Sequence, residues 1–359
     1  MHILIVKASA FGDILHALPV LPVLHGLFPG IQIDWVVEEP FAELLAGNPL
    51  ITRLMVISTK RWRRSLGKGC TYHEVGAVIK KLRTVRYAMV IDLQGNLKSG
   101  IVTALARAED KVGFEYPQLQ ERINTLFTRR QITMPDGLSH ISDQYLALAT
   151  AALGSSRPIK PPENICLFPS AQQLHEASLL LADTAGHFVV AIHQGTTWQT
   201  KYWDIESWVA LIRLLQNTIV GVRVVLTCGS DAEYQMAQQT RDAAGDVVQI
   251  VSRTPIMVLA ALYQQVDLVI GGDTGPLHLA AAVGTPTCSL YRSSDGLRSG
   301  PRGERHAIVQ VPMVCSPCFK TSCSDDALCR ATLTPDLVFE HLWRHITKNN
   351  LIHSKKELA

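Results

Sequence analysis

The stretch Tyr87-Ala88-Met89-Val90-Ile91-Asp92 is a continuous apolar run that ends in an acid. A short run without polar alternation is typical of a central parallel strand that is covered by helices on both faces. Residues 2–7 have the same character, and residues 32–37 and 54–58 are predicted as further strands. Helical stretches separate these runs, so the first half of the chain predicts a doubly wound α/β sheet.

A second set of strands and helices follows a proline-rich stretch at residues 157–162. This stretch predicts an interdomain linker, because residues before proline favour extended conformations. Residues 205–216 form the clearest amphipathic helix, with large apolar side chains from Trp208 to Leu215 on one stripe. The predicted strands of this half are residues 188–193, 222–227, 247–250, 268–270 and 287–290.

The length of 359 residues is sufficient for about two domains. We predict a Rossmann-like domain over residues 1–160, a second one over residues 161–333, and a helix with a polar tail over residues 334–359. The two domains are expected to face a central cleft, since ligands of open α/β sheets bind at the carboxyl ends of the strands.

The composition narrows the class of protein. Apolar residues make up 47% of the chain, which excludes intrinsic disorder because enough apolar side chain is present to offset the entropy lost on folding. The formal net charge of +3 is too small to indicate a nucleic-acid partner. No stretch approaches the ~20 apolar residues of a transmembrane helix, and the first residues lack the charge order and cleavage site of a signal peptide. We therefore expect a cytoplasmic protein.

Several common motifs are absent from the sequence. Neither the dinucleotide-binding G-x-G-x-x-G nor the P-loop G-x-x-x-x-G-K-[ST] occurs, which disfavours an NAD enzyme and a P-loop kinase. The Lys98-Ser99 pair follows Gly95 at the wrong spacing for a P-loop. G-x-S-x-G and H-E-x-x-H are missing as well.

The first loop whose side chains could take part in a reaction runs from Lys7 to His16 and places Asp13 directly after Gly12. An acid between a strand and a helix often caps the helix. At the carboxyl end of a strand it can also act as a general base. Position alone favours capping and leaves both interpretations open.

Two further loops lie in the second half. Thr196, Thr197 and Lys201 combine hydroxyl groups with a lysine, which predicts a phosphate cradle, although a solvated loop fits equally well. Residues 271–282 bring glycines and a helix start together, so that the backbone can approach an anionic ligand. His278 lies about one turn into that helix, where histidine is more often packed than functional.

The eight cysteines fall into two groups. Four scattered ones are predicted to be buried apolar residues, as expected in a reducing compartment: Cys70, Cys166, Cys228 and Cys288. The other four are clustered with a Cys-x₂-Cys start, which predicts a structural zinc site with four thiolates: Cys315, Cys318, Cys323 and Cys329. Reduced thiols or a redox-labile disulfide are the alternatives.

Taken in chain order, these loops resemble those of the bacterial lipopolysaccharide heptosyltransferases, which are inverting glycosyltransferases of family 9. The resemblance rests on Lys7 to His16, on Thr196 to Lys201 and on Asp273-Thr-Gly-x-x-His278, and it covers nearly the whole chain. It implies the GT-B fold, an ADP-heptose donor and a transfer that requires no metal or other cofactor.

The resemblance also implies roles for individual residues. Asp13 matches the general base, and Lys201 matches the residue that stabilises the departing ADP together with a helix N-terminus. The implied donor-binding residues are Thr196, Thr197 and Lys201 at the phosphates, Glu233 at the adenosine ribose, and Asp273, Thr274, Gly275 and His278 around the diphosphate and donor sugar.

The acceptor side is implied by residues 34–39 and by a basic run, which resemble the branch that adds the first heptose to Kdo–lipid A. This resemblance implies acceptor binding and a peripheral position at the inner face of the cytoplasmic membrane, although such a run is more often a solvated face. The implied acceptor-binding residues are Lys60, Arg61, Arg63 and Arg64.

The alternatives are a transferase for the second heptose, which the cysteine-rich segment resembles more, another ADP-sugar transferase, and a non-catalytic nucleotide-sugar binding protein.

Overall fold

The computed structural model describes residues 1–65, 67–116, 118–155 and 167–352. It divides the chain into two compact units, Met1–Cys166 and Leu167–Ala359. Each unit is built on one six-stranded sheet. The predicted linker at residues 157–162 and the end of the polar tail at residues 353–359 lie outside the described residues.

The sheet of the first unit is entirely parallel. Its strands are β1 (His2–Val6), β2 (Gln32–Glu38), β3 (Arg53–Ile57), β4 (Arg86–Asp92), β5 (Arg107–Phe114) and β6 (Arg130–Ile132). They lie in the order β3-β2-β1-β4-β5-β6. β1 and β4 are central and pair Ile3 with Met89, which explains why both are apolar on their two faces.

Helices cover this sheet on both faces, as expected when parallel strands are joined by crossover connections. They are α1 (Phe11–Ala17), α2 (Val20–Leu27), α3 (Thr59–Arg64), α4 (Gly69–Arg83), α5 (Leu97–Leu105) and α6 (Ile141–Ala152), with 3₁₀ helices at Glu39–Leu44 and Arg122–Leu126. One core of this unit gathers Leu4, Val36, Tyr87, Val90 and Val102 from the strands and from α5.

The second unit repeats the winding of the first. Its strands are β7 (Val189–His193), β8 (Arg223–Thr227), β9 (Val248–Val251), β10 (Leu268–Gly272), β11 (Thr287–Tyr291) and β12 (His306–Gln310). Their order is β12-β11-β10-β7-β8-β9. Counted within each unit, both sheets therefore read 3-2-1-4-5-6, the strand order of the dinucleotide-binding folds.

The helices of the second unit include the two that the sequence marks most clearly. They are α7 (Ala171–Leu180), α8 (Ile205–Thr218), α9 (Asp231–Ala244), α10 (Ile256–Gln265), α11 (Gly275–Ala282), α12 (Gly296–Ser299), α13 (Asp326–Thr332) and α14 (Pro335–Lys348), with 3₁₀ helices at Ala182–Thr184 and Gln199–Lys201. α8 buries the predicted stripe, including Trp208 and Leu215, and α14 packs Val338, Leu342 and Ile346 into the same core.

The predicted α/β class with two doubly wound sheets is confirmed. The sequence missed β5, β6 and β12, whose residues alternate with charge or are too few to form an apolar run. α1 begins at Phe11, so Gly12 and Asp13 lie in its first turn. In the described part of the chain, no helix combines the length and apolar character needed to cross a bilayer.

Candidate active site

Lys201 lies in the second unit at the centre of a compact ionic group. Its Nζ is 2.5 Å from Oδ2 of Asp273 and 4.4 Å from the ring centroid of Trp198. The other carboxylate oxygen of Asp273, Oδ1, is 3.2 Å from Nε2 of His278. Lys201 closes the short 3₁₀ helix after β7, and Asp273 directly follows β10, so the carboxyl ends of two neighbouring strands bring these side chains together.

The ionic group fixes the charge of Asp273. Burial by itself would raise the pKa of this carboxyl group. The hydrogen bond and charge of His278, together with the charge of Lys201, outweigh burial and hold the pKa of Asp273 well below its usual range. Asp273 is therefore ionised at every physiological pH and keeps the Lys201 ammonium group oriented.

Glu233 stands at the same edge of the sheet. It lies in the first turn of α9, where Ser230 caps the helix, and its Oε2 accepts a hydrogen bond of 2.6 Å from the Gly229 N–H. A Cβ atom on Gly195 would lie 2.3 Å from Cδ of Glu233. Glycine at position 195 therefore makes room for the Glu233 carboxylate over the end of β7.

His193 ends β7 beneath this carboxylate. Its Nε2 is 3.9 Å from Oε2 of Glu233, which is too long for a hydrogen bond, and its Nδ1 is 3.1 Å from the Thr227 carbonyl oxygen. Burial lowers the pKa of His193 even though the charge of Glu233 opposes this shift. The lowered pKa favours a neutral imidazole, which does not compensate the charge of Glu233.

A pocket of the second unit lies beside Lys201. Its walls include Gly195, Thr196, Lys201, Gly272 and Arg292. Thr196 is half-buried, whereas Thr197 is exposed. Thr274 is the N-cap residue of α11 and Gly275 its first residue. The eight donor-side residues predicted from the sequence therefore all lie near the carboxyl edge of this sheet, and two of the eight, Thr196 and Lys201, line the pocket.

Asp13 lies in the first unit, in the first turn of α1. Its Oδ2 accepts a hydrogen bond of 3.2 Å from the Ala10 N–H, and about a third of its side chain, 36%, is exposed. The same oxygen is 3.7 Å from Nζ of Lys7. Asp13 is therefore not the N-cap residue of α1, which is Ala10, but it stabilises the helix start from the third helical position and still presents a carboxylate to solvent.

Lys7 is completely buried beneath Asp13. Within the described residues its Nζ has no hydrogen-bond partner, and it lies 4.7 Å from the ring centroid of Tyr145. Burial lowers the pKa of Lys7, while the charges of Asp13 and Asp92 oppose this shift. Sequence reasoning gave Lys7 no role, because a lysine at a strand end usually reaches solvent.

The loop before α1 is hydrogen-bonded to the loop that follows β4. Oε1 of Gln94 accepts hydrogen bonds from the N–H groups of Ala8 (3.2 Å) and Ser9 (3.0 Å). Asp92 is buried, and its Oδ1 accepts from the N–H groups of Gln94 and Gly95. The backbone that carries Asp13 is therefore fixed by polar contacts within the first unit.

The basic run forms helix α3, and all four predicted acceptor residues are exposed. Arg61 is engaged, since its guanidinium lies 2.9 Å from Glu74 and 3.4 Å from Glu39. Among the described residues no ion pair involves Lys60, Arg63 or Arg64. Three of the four predicted acceptor-binding residues, Lys60, Arg63 and Arg64, are therefore cations without an ion-pair partner among the described residues.

The predicted zinc site is wrong. Within the described residues, no three or more His, Cys, Asp or Glu side chains are grouped so that they could hold a metal ion. The clustered cysteines that were expected as ligands are all free thiols: Cys315, Cys318, Cys323 and Cys329. The short spacing between their two pairs did not make them converge.

The cysteine-rich segment instead supports the loop of Lys201. Thr200 Oγ1 donates a hydrogen bond of 2.5 Å to the Lys320 carbonyl oxygen, and the Cys318 N–H donates to Ser293 O at 3.0 Å. Of the four scattered cysteines, Cys228 and Cys288 are buried as predicted. Cys70 is exposed, against the prediction, and Cys166 lies outside the described residues.

Arg292 is a residue of the pocket that sequence reasoning missed. It is buried, donates 2.6 Å to the Tyr202 carbonyl oxygen, and pairs with Asp326 at 2.8 Å. It therefore ties the loop of Lys201 to α13. The available signal was a charged residue directly after the apolar run of β11.

Two parallel sheets with this repeated winding, and loops suited to a nucleotide at the carboxyl edge of one of them, define the class of GT-B glycosyltransferases. The family model for glycosyltransferase family 9 (heptosyltransferase) matches residues 75–328. The chain belongs to this family.

Named relatives and solved structures agree with this assignment. The chain is 32% identical over 325 residues to lipopolysaccharide heptosyltransferase 1 of Pseudomonas aeruginosa, covering 90% of this chain and 88% of the relative. Identity to the Escherichia coli K12 protein of the same name is 31% over 313 residues, with coverages of 87% and 94%. The structure of E. coli heptosyltransferase WaaC with ADP superimposes with a TM-score of 0.79 at 26% identity, over 96% of this chain and all of that one.

Proposed function

We propose that this protein transfers L-glycero-D-manno-heptose from ADP-heptose to the Kdo–lipid A inner core during lipopolysaccharide core biosynthesis. The observation that carries the proposal is the Lys201 ammonium group, held by Asp273 and Trp198 at the carboxyl edge of a Rossmann-like sheet. The relatives that are 31–32% identical carry the name heptosyltransferase 1, which favours the first heptose over the second.

The donor side belongs to the second unit. Thr196, Thr197 and Lys201 would contact the diphosphate, and Glu233 would accept hydrogen bonds from the ribose hydroxyls. Asp273, Thr274, Gly275 and His278 would surround the diphosphate and the heptose. A solved E. coli WaaC structure contains ADP-2-deoxy-2-fluoro heptose, which supports an ADP-heptose donor here.

The reaction replaces the bond between the anomeric carbon and the diphosphate. As that bond breaks, its electron pair leaves with ADP, and negative charge grows on the diphosphate. Lys201 and the N–H groups at the start of α11 are preoriented to stabilise this charge. In this proposal the stabilisation comes from groups of the chain itself.

Asp13 would act on the acceptor as general base. The acceptor hydroxyl has a pKa far above 7, and so it needs a base when its oxygen attacks the anomeric carbon with inversion. The proton passes to the exposed carboxylate of Asp13, whose position is fixed by the Ala10 N–H and by Lys7 beneath it. Lys60, Arg61, Arg63 and Arg64 would bind the anionic acceptor, and an acceptor of this kind places the protein at the inner face of the cytoplasmic membrane.

The test is an assay with ADP-heptose and Kdo–lipid A, without added metal, that follows ADP release and a heptose-sized mass gain of the lipid. We expect Asp13→Asn to lower kcat by about 10²–10⁴-fold, because it removes the base. Donor affinity should not change, since the asparagine oxygen still accepts from Ala10 and the donor residues lie in the second unit.

The exposed Asp136 of the same unit provides the matched control, Asp136→Asn, which should leave turnover unchanged. Intact donor binding without ADP release or mass gain in the wild type would refute the transferase function and favour a nucleotide-sugar binding protein. Preferential transfer to a lipid that already carries one heptose would assign the protein to the second-heptose reaction.

A further inference from the structure

An apolar surface patch lies on the first unit, and nothing in the proposed reaction uses it. Leu97 and Ile101 project from α5 and are 39% and 46% exposed. Ile123 and Leu126 of the neighbouring 3₁₀ helix are 45% and 79% exposed. We refer to these four side chains as the α5 patch. Contiguous exposed aliphatic groups on a folded protein commonly mark an interaction site.

The two helices of the α5 patch are locked side by side. The Asn124 side-chain N–H donates 2.9 Å to the Asn96 carbonyl oxygen, and a Cβ on Gly100 would lie 2.3 Å from the Phe127 ring. Leu97 begins α5 and donates its N–H to Glu121 at 2.9 Å. These contacts hold the two helices that carry the exposed side chains next to each other.

Cations border the α5 patch at two ends. The Nζ of Lys111 donates a hydrogen bond of 2.9 Å to the carbonyl oxygen of Ala104 in α5. Burial and the charge of Arg129 lower the pKa of Lys111, and this effect of Arg129 shows that the two cations are neighbours. At the other end the Arg122 guanidinium lies 4.1 Å from the ring centroid of Tyr116, which is itself 55% exposed. The acidic Glu121 lies next to Arg122 in the sequence, and its carboxylate accepts a hydrogen bond from the Leu97 N–H at the start of α5.

The α5 patch is also continuous with the basic helix α3. Lys98, the residue after Leu97, places its Nζ 2.9 Å from Oε1 of Glu38. Oε2 of Glu38 accepts from the N–H of Thr59, the first residue of α3, at 3.1 Å. One buried carboxylate therefore links the start of the patch helix to the cations that we assign to the acceptor.

We propose that the α5 patch and its cations form the surface by which this protein docks onto a bilayer with anionic headgroups. Aliphatic side chains would enter the interface, while Lys111, Arg122 and Arg129 approach the headgroups, each contributing on the order of 1 kcal/mol near an anionic surface. The inference rests on the proposed function, because it is the lipid-linked acceptor that requires contact with a membrane.

The experiment measures partition of the full-length protein onto vesicles by co-sedimentation. One set contains phosphatidylethanolamine with phosphatidylglycerol, and the other contains phosphatidylcholine alone. We expect binding to the anionic set only, and a decrease of at least about tenfold for the double variant Ile101→Ser/Leu126→Ser. The double variant Arg122→Gln/Arg129→Gln should lose binding by about tenfold and reduce its salt dependence.

Leu179→Ser is the matched control, since Leu179 is 64% exposed on α7 of the second unit, and it should bind like the wild type. Turnover with a water-soluble Kdo acceptor that lacks acyl chains should be unchanged in the patch variants, which separates docking from chemistry and from folding. Wild-type transfer to that soluble acceptor without vesicle binding would overturn the docking surface and leave the proposed function intact.

Vesicle binding that depends on the α5 patch, in a protein that transfers no heptose, would support the docking surface and refute the proposed function. Self-association that is abolished by Ile101→Ser/Leu126→Ser, with no vesicle binding, would overturn membrane docking in favour of a second copy of the chain.

Discussion

At the scale of single residues, the missing side chain of Gly195 leaves the space that the Glu233 carboxylate occupies at the donor edge. A methyl group at position 195 would overlap the Glu233 carboxylate, which is the end of a flexible side chain. We therefore expect Gly195→Ala to fold normally but to displace this carboxylate, lowering ADP affinity by roughly tenfold through loss of charge-assisted hydrogen bonds. Calorimetric titration with ADP measures the change.

The same substitution in a Glu233→Ala background supplies the control. Once the carboxylate is absent, Gly195→Ala should have no further effect, so that the two changes are strongly non-additive. Gly229→Ala, where the nearest Glu233 atom would lie 3.4 Å away, should be milder. Equal losses of affinity from Gly195→Ala in both backgrounds would show that the glycine acts independently of Glu233.

Asp13 shows how far sequence reasoning reaches at this scale. Its position after a strand predicted either a helix cap or a catalytic base, and the structure places Asp13 at the third helical position, behind the N-cap residue Ala10, with its carboxylate partly exposed. The two interpretations were never exclusive. The burial of Lys7 could not be predicted, because it depends on Tyr145 and Asp92, which approach from distant parts of the chain.

At the scale of elements, β12 and α14 meet through two histidines with lowered pKa values. Burial, with the charges of His345 and Arg305 adding to it, lowers the pKa of His306 to about 4, and its Nδ1 lies 3.0 Å from Thr287 Oγ1. His345 of α14 contacts the Arg305 carbonyl oxygen at 3.1 Å, and burial lowers its pKa as well. The junction therefore requires neutral imidazoles.

We predict that this junction makes the protein sensitive to acid. The pKa of His306 is lower in the folded state than the ~6.5 of an unfolded chain, so the unfolded state binds the proton first as the pH falls. The free energy of unfolding should decrease by about 3 kcal/mol from this residue between pH ~6.5 and pH ~4, and no further below that. Urea unfolding at neutral and acidic pH measures the loss.

His306→Gln should remove most of that pH dependence, since glutamine has no proton to gain. The exposed His175 on α7 is the matched control, and His175→Gln should retain the wild-type loss. An unchanged pH dependence in His306→Gln would contradict the neutral, buried state of His306.

The three strands that sequence analysis missed lack a long, continuous apolar run. β5 contains Arg107, Glu109, Asp110 and Lys111, and its polar side chains are paired or reach solvent, so the run carries no apolar signal. β12 begins with His306, and β6 has three residues at a sheet edge. β5 lies inside its sheet and is hidden by its charged residues, whereas β6 and β12 lie at sheet edges, where burial on two faces is not required.

At the scale of the whole molecule, the two units are assigned different substrates. If the donor contacts are as proposed, saturating ADP should slow amide hydrogen exchange most strongly in the loops 193–201, 229–233 and 272–278 of the second unit. The loops 7–13 and 92–98 of the first unit should show the weaker response. If the loops of the first unit were protected most strongly, the nucleotide would bind there, and the proposed donor site in the second unit would be contradicted.

Alternation of strand and helix patterns sufficed to predict two doubly wound units, because each sheet repeats the same local periodicities. The cysteine-rich segment failed as a zinc prediction for the opposite reason. Spacing describes what the backbone permits, but Cys318 and its neighbours are positioned by hydrogen bonds to Ser293 and Thr200, which belong to other elements.

The sealed ammonium group of Lys7 has one more consequence. A primary amine without solvent contact cannot be acylated by reagents in the surrounding medium, so acylation of Lys7 requires a local opening of the first unit. The rate at which Lys7 is acylated would therefore measure how often the first unit opens locally around the residues beneath Asp13.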